Sequence, residues 1–176
     1  MEYLEVAMND VLRLGRDAAA WATGFYRQHF LLVFGLSMIP TVQRFAVVYW
    51  DPPALISITS EVLVAGVRIL LAALIVRLML AETGLDRRTA WERLKTAIDR
   101  RLVAFWGQWA LLAIAFLIFD IGLNGLVAAT VPADAQAAVN AVLVAVKNPT
   151  IIAFTLLWMA GIGRTLILGQ REPQPA

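Results

Sequence analysis

The chain has no cysteine and one histidine among its 176 residues. Without thiols it forms no disulfides, no cysteine-held iron–sulfur clusters and no thiol nucleophile. One imidazole rules out a bis-histidine haem or a multi-histidine metal site. Charge is also scarce, at 16% of residues against about 25% in globular domains. The net charge of +2, from 15 basic and 13 acidic groups, offers no electrostatic footprint for nucleic acid. HExxH, CxxC, GxGxxG and Walker patterns are all missing. Gly35-Leu36-Ser37 lacks the second glycine of a nucleophile elbow. His29, between Gln28 and Phe30, reads as a solvated tether at the start of an apolar run rather than as a base. Neither enzymatic activity nor a cofactor is expected.

What the chain does have is hydrocarbon. Hydrophobic residues make up 60% of it, and the mean hydropathy is +0.72. An aqueous surface cannot hide that much. Four apolar stretches, near Phe30–Trp50, Ser57–Leu80, Ala104–Thr130 and Ala138–Leu166, reach the roughly 20 residues a helix needs to cross a bilayer. Asp51-Pro52-Pro53 and Val131-Pro132-Ala133-Asp134 are short and rich in turn formers, so each pair of stretches reads as a helical hairpin. Open strands would leave backbone groups unpaired in hydrocarbon, so the spans must be helices.

Each hairpin is preceded by an amphipathic segment. Leu4, Met8, Val11, Ala18, Trp21 and Phe25 recur at helical spacing, opposite Glu2, Asn9, Arg13, Arg16 and Arg27. Such a helix lies in a membrane interface or packs on its own bundle. The acidic start Met1-Glu2-Tyr3-Leu4-Glu5 does not resemble a cleavable signal peptide. Before the third span, Thr89-Ala90-Trp91-Glu92 fits a capping box, followed by an apolar face of Trp91, Leu94, Ile98, Leu102 and Phe105.

The order of elements suggests duplication. At an offset of 80, twelve identities fall in residues 25–80, among them Pro52 with Pro132 and Val62-Leu63-Val64-Ala65 with Val142-Leu143-Val144-Ala145. The expected fold is an all-α integral membrane protein with four transmembrane helices, arranged as two parallel-repeat hairpins about a pseudo-twofold axis along the membrane normal. Its segments are an interfacial helix (1–28), a first hairpin (29–80), a basic cytoplasmic amphipathic helix (81–103), a second hairpin (104–168) and a flexible tail (169–176). Basic residues set the orientation: three in residues 1–29, six in 81–103 and two in Arg164 and Arg171, with none in the hairpin loops. The positive-inside rule then puts both termini and the central segment in the cytoplasm, in a bacterial inner membrane.

The spans carry charge of their own. Arg77 is near a helix end and can snorkel. Arg44 and Glu61 fall in the outer third, and Arg68, Asp120 and Lys147 near mid-depth. Left unpaired, the three deep charges would cost on the order of 8–10 kcal/mol together. Helical spacing sets Ser37, Thr41 and Arg44 on one stripe, Glu61 and Arg68 on a second, Asp120 and Asn124 on a third, and Asn140, Lys147 and Asn148 on a fourth. These predict an intramembrane polar network of Arg44, Glu61, Arg68, Asp120, Asn124, Lys147 and Asn148. Such a network is a buried scaffold of ion pairs and amides that fixes helix register, an outward-facing polar cavity, or a surface awaiting a carboxylate or a lipid phosphate. Pro40 and Pro149, near mid-span, predict local kinks.

Three functions fit this pattern. The first is a non-catalytic subunit or scaffold of a membrane complex, partnered by a membrane protein or by further copies of itself. The second is a small oligomeric transporter or channel using Arg68, Asp120 and Lys147. The third is a surface regulator acting through the amphipathic helices.

Overall fold

The computed structural model describes residues 2–50 and 52–169, with the side chains of all of these but 2–4, 48, 49 and 120. The chain is 93% helical, and the described residues include no strand. The elements are α1 (Glu2–Gln28), α2 (Phe30–Trp50), α3 (Ala54–Thr83), α4 (Arg87–Arg100), α5 (Leu102–Thr130), α6 (Gln136–Lys147), a π-helical turn (Asn148–Ile152) and α7 (Ala153–Leu168). Four helices are long and apolar enough to cross a membrane: α2, α3, α5 and the continuous α6–π–α7 rod from Gln136 to Leu168. The sequence places all four, but α3 and α5 run a few residues longer than hydropathy alone suggests. The expected tail falls almost wholly on residues 170–176, outside the described residues.

Local chemistry sets the breaks. α3 stops at Gly84, the one described glycine with positive φ (65°), whose N–H closes the helix onto Ala81 O. α4 starts at Asp86, whose carboxylate accepts from the N–H groups of Arg88 and Thr89, both at 3.0 Å. The N-cap is therefore Asp86, and Thr89 lies inside the helix, three residues past the cap rather than at it. An aspartate that reaches the first free amides begins the helix earlier than the threonine signal implies. α5 stops where Val131 becomes extended ahead of Pro132. Between α1 and α2 the backbone hydrogen bonds run on through His29, from its N–H to Phe25 O (2.9 Å) and from Val33 N–H to His29 O (3.0 Å).

α7 is the hub of the core. Ala153 and Leu157 pack with Ala22 and Phe25 of α1, Val33 of α2, and Leu71 and Ile75 of α3. Further along, Ile162 and Leu166 join Leu14 and Ala18 of α1, Ala97 of α4 and Ala104 of α5. Ile167 meets Met79 of α3 and Ala90 of α4. α1 thus packs lengthwise on its own bundle. Its buried stripe is Leu14, Ala18, Ala22 and Phe25, whereas Met8 is 63% exposed beside exposed Val6 and Leu12. Small residues decide this face, because they let the α1 and α7 backbones approach closely. A Cβ built on Gly161 would lie 2.7 Å from Ala18 O. On α4 Ala90 and Ala97 are buried; of the expected face, Leu94, Ile98 and Phe105 pack against the core, while Trp91 and, at the start of α5, Leu102 are exposed.

Polar ties lock the helix ends around this core. Arg101, at the α4–α5 elbow, grips Asp10 of α1 with two guanidinium nitrogens, Nε at 3.0 Å from Oδ2 and Nη2 on Oδ1. Trp21 Nε1 donates to Glu82 Oε2 at 3.0 Å, and Arg164 Nε lies 3.6 Å from the same oxygen. Gln108, fully buried, donates to Val11 O at 2.6 Å where Gly15 and Gly107 bring α1 and α5 together.

Candidate functional site

The distinctive backbone feature is the π-helical turn at Pro149. Proline has no N–H, so the carbonyl four residues back, Ala145 O, loses its helical donor. Thr41 of α2 replaces it, its hydroxyl lying 3.1 Å from Ala145 O and 3.2 Å from Ser37 O. The turn also sends Ala153 N–H to Asn148 O, five residues back. That leaves Pro149 O without its usual amide, and the Tyr26 hydroxyl of α1 donates to it at 2.7 Å. Two neighbouring helices thus satisfy the carbonyls that one proline releases, as an apolar environment demands. Pro40, by contrast, sits inside an unbroken α2.

Next to this turn is a cleft of about 270 Å³, with Arg44, Glu61, Arg68, Lys147 and Asn148 in its lining and Phe116 and Phe119 of α5 as its far wall. Helices α2, α3, α5 and α6 each contribute residues. Glu61 Oε1 lies 3.8 Å from Arg44 Nη1 and accepts from Gln43 Nε2 at 3.4 Å. Gln43 Nε2 also donates to Ser60 Oγ at 2.8 Å. Deeper in, Arg68 Nη2 donates to Oδ1 of buried Asn148 at 3.3 Å. These two residues are 80 apart, the offset of the internal alignment.

Five of the seven residues singled out in the sequence share this cleft. Asn124 does not: it is exposed on α5, outside the lining. The side chain of Asp120 lies outside the described residues, though its backbone follows the wall residue Phe119 on α5. Nothing in the sequence pattern of Tyr26 or Thr41 marks their bonds to the π turn, although a mid-span proline is itself a signal that outside donors are needed.

The described lining of the cleft holds three cations, Arg44, Arg68 and Lys147, and one carboxylate, Glu61. Glu61 serves Arg44. Among the described residues, no carboxylate lies within ion-pair distance of Arg68, whose hydrogen-bond partner is the neutral Asn148 amide. The cleft is lopsided in packing. α2 packs along both α3 and α6, whereas α3 and α5 make no extended contact. A twofold repeat would pair the α2–α6 contact with one between α5 and α3, and the cleft lies at that position. The central and distal part of α5 presents Phe116, Leu117, Ile118 and Ile121 outward.

The features define an all-helical chain with four helices of membrane-spanning length and an arginine-bearing polar cleft. No family model, curated protein or solved structure matches it.

Proposed function

We propose that the protein is a non-catalytic subunit of a membrane complex, inserted through its four apolar helices, and that its α3–α5 cleft receives a helix of a membrane-protein partner. The observation that carries this reading is Arg68: exposed in a gap between apolar helices, and bonded only to a neutral amide among the described residues. A guanidinium near the middle of a span is costly unless it is paired or hydrated. A carboxylate on an incoming helix would neutralise it, and that helix would also cover the outward apolar face of α5. The basic residues flanking the spans support an orientation with both termini in the cytoplasm, and a bacterial plasma membrane fits the composition. The Arg68–Asn148 pairing, at the offset of the internal alignment, supports descent from a duplicated hairpin.

In-cell photo-crosslinking tests this. A photoreactive residue at half-exposed Phe119, on the cleft wall, is expected to give one discrete adduct with a membrane protein. The same residue at exposed Val42 of α2 is expected to give only lipid adducts. Arg68→Gln should abolish the Phe119 adduct while leaving helicity and elution volume unchanged. An adduct that survives Arg68→Gln refutes the role given to the arginine.

A second reading rests on the Arg68-bearing cleft lying beside a proline-interrupted helix, a pairing that marks binding sites in transporters. On that reading the protein is a small oligomeric transporter or channel using Arg68, Asp120 and Lys147. Anion flux into liposomes containing only this protein, abolished by Arg68→Gln, would favour it.

A further inference from the structure

A second and larger groove, of about 920 Å³, runs between α3, α4 and α7. Its walls are apolar, with Ala72, Val76 and Leu80 on α3 and Leu156, Met159 and Gly163 on α7. From Ala72 to Leu80 the α3 wall is about 12 Å long. Small side chains keep it open: nothing lies within 4 Å of a Cβ placed on Gly163. At the end where α3 gives way to α4, the lining changes to Arg87, Arg88 and Trp91, all exposed.

The two arginines are available. Among the described residues neither has an ion-pair partner. The nearest acid in sequence, Asp86, is engaged in capping α4 through the amides of Arg88 and Thr89. Glu82 is held by Trp21 and Arg164. The site therefore has a graded polarity: two uncommitted cations and an exposed indole at the end of a span, then a narrow apolar trough running back along it. A soluble anion would use only the mouth, and an apolar helix would leave the arginines unmatched. A molecule with an anionic head and a hydrocarbon tail matches both ends.

We propose that this groove binds an anionic phospholipid, with its phosphate on Arg87 and Arg88, its glycerol region beside Trp91, and one acyl chain along Ala72, Val76 and Gly163. Cationic side chains at the headgroup level attract such lipids, and indoles favour the same depth. The site requires α3 and α7 to be inserted in a bilayer. It does not require a partner in the α3–α5 cleft.

Native mass spectrometry of the full chain in a neutral detergent tests the assignment. Phosphatidylglycerol, phosphatidylcholine with the same acyl chains, and inorganic phosphate are titrated separately. Phosphatidylglycerol should bind tightest, and Arg87→Gln with Arg88→Gln should weaken it roughly thirty-fold while weakening phosphatidylcholine, whose phosphate is offset by choline, far less. Gly163→Leu, which fills the trough, should weaken both lipids, with helicity by circular dichroism checking that the fold persists. Equal binding of the two lipids, or no effect of the arginine pair, overturns the headgroup assignment. Phosphate competing with phosphatidylglycerol at equal concentration would make the mouth a free-phosphate site and overturn the lipid. Unchanged lipid binding in Gly163→Leu would overturn the acyl-chain placement.

Discussion

Replacing Gly161 with alanine adds a single methyl group where α7 crosses α1. That methyl would stand 2.7 Å from Ala18 O, 3.2 Å from Ala18 Cα and 3.0 Å from Trp21 Cε3. Two of these three atoms belong to the α1 backbone, so no rotamer change relieves the clash and the helix itself must move. Overpacking of this kind costs about 1–3 kcal/mol. Against it, glycine to alanine within a helix gains about 0.5–1 kcal/mol from the backbone alone. Gly163, on the same helix, supplies the control, because a Cβ there meets nothing within 4 Å. Gly163→Ala should therefore stabilise the protein by about 0.5–1 kcal/mol, while Gly161→Ala should be neutral to destabilising by up to about 2.5 kcal/mol. Helix propensity cancels in the difference between the two, leaving the packing contribution of about 1–3 kcal/mol. At roughly 2–4 °C per kcal/mol for a chain of this size, the apparent Tm values should separate by several degrees. Thermal unfolding of the two full-length variants in the same detergent reads that gap directly. Equal shifts in the same direction would mean that α1 does not pack on α7 at Gly161, and the description of the core would fail with it.

The orientation is checked by introducing cysteines into this cysteine-free chain: at Ala54 and Ala135 they should react with an impermeant thiol reagent on intact cells, and at Thr89 they should not. The reverse labelling pattern would invert the assigned topology. Asp86 supplies a pH dependence. Its carboxyl is held below the usual aspartate range, first by the Thr89 side chain and then by the Thr89 backbone N–H. A folded-state pKa below the unfolded one makes its stabilisation complete above the ordinary value near 4, and that stabilisation is lost as pH falls through the folded value. The stability advantage of the native chain over Asp86→Ala should thus be largest at neutral pH and shrink in acid. A gap that stayed constant from pH 7 to pH 2 would rule out the cap as its source.

The sequence by itself determined the class of fold. Runs such as Phe30–Trp50, which coincides with α2, leave the backbone no way to satisfy its hydrogen bonds in hydrocarbon except as a helix. Pro52-Pro53 and Pro132 end the helices at the hairpin turns for an equally local reason. The charges of the candidate site could also be singled out, because Arg44, Glu61, Arg68 and Lys147 are conspicuous in apolar runs and helical periodicity alone suggests common faces. Only the tertiary structure decided which of these charges meet. Gln28 and Gln108 align at the offset of 80, yet Gln28 is exposed and Gln108 is fully buried against Val11. The chosen face of α1 follows the small residues that fit Gly161, and hydropathy, which favours Met8, does not register that fit. Tyr26 and Thr41 are ordinary residues until Pro149, more than a hundred positions away, frees carbonyls beside them. Helix formation and insertion depend on each segment's own backbone and apolar area, so they can be read one segment at a time. Pairing, burial and the open gap beside α5 depend on the shapes and charges of two or more segments together, and no single stretch of sequence contains them.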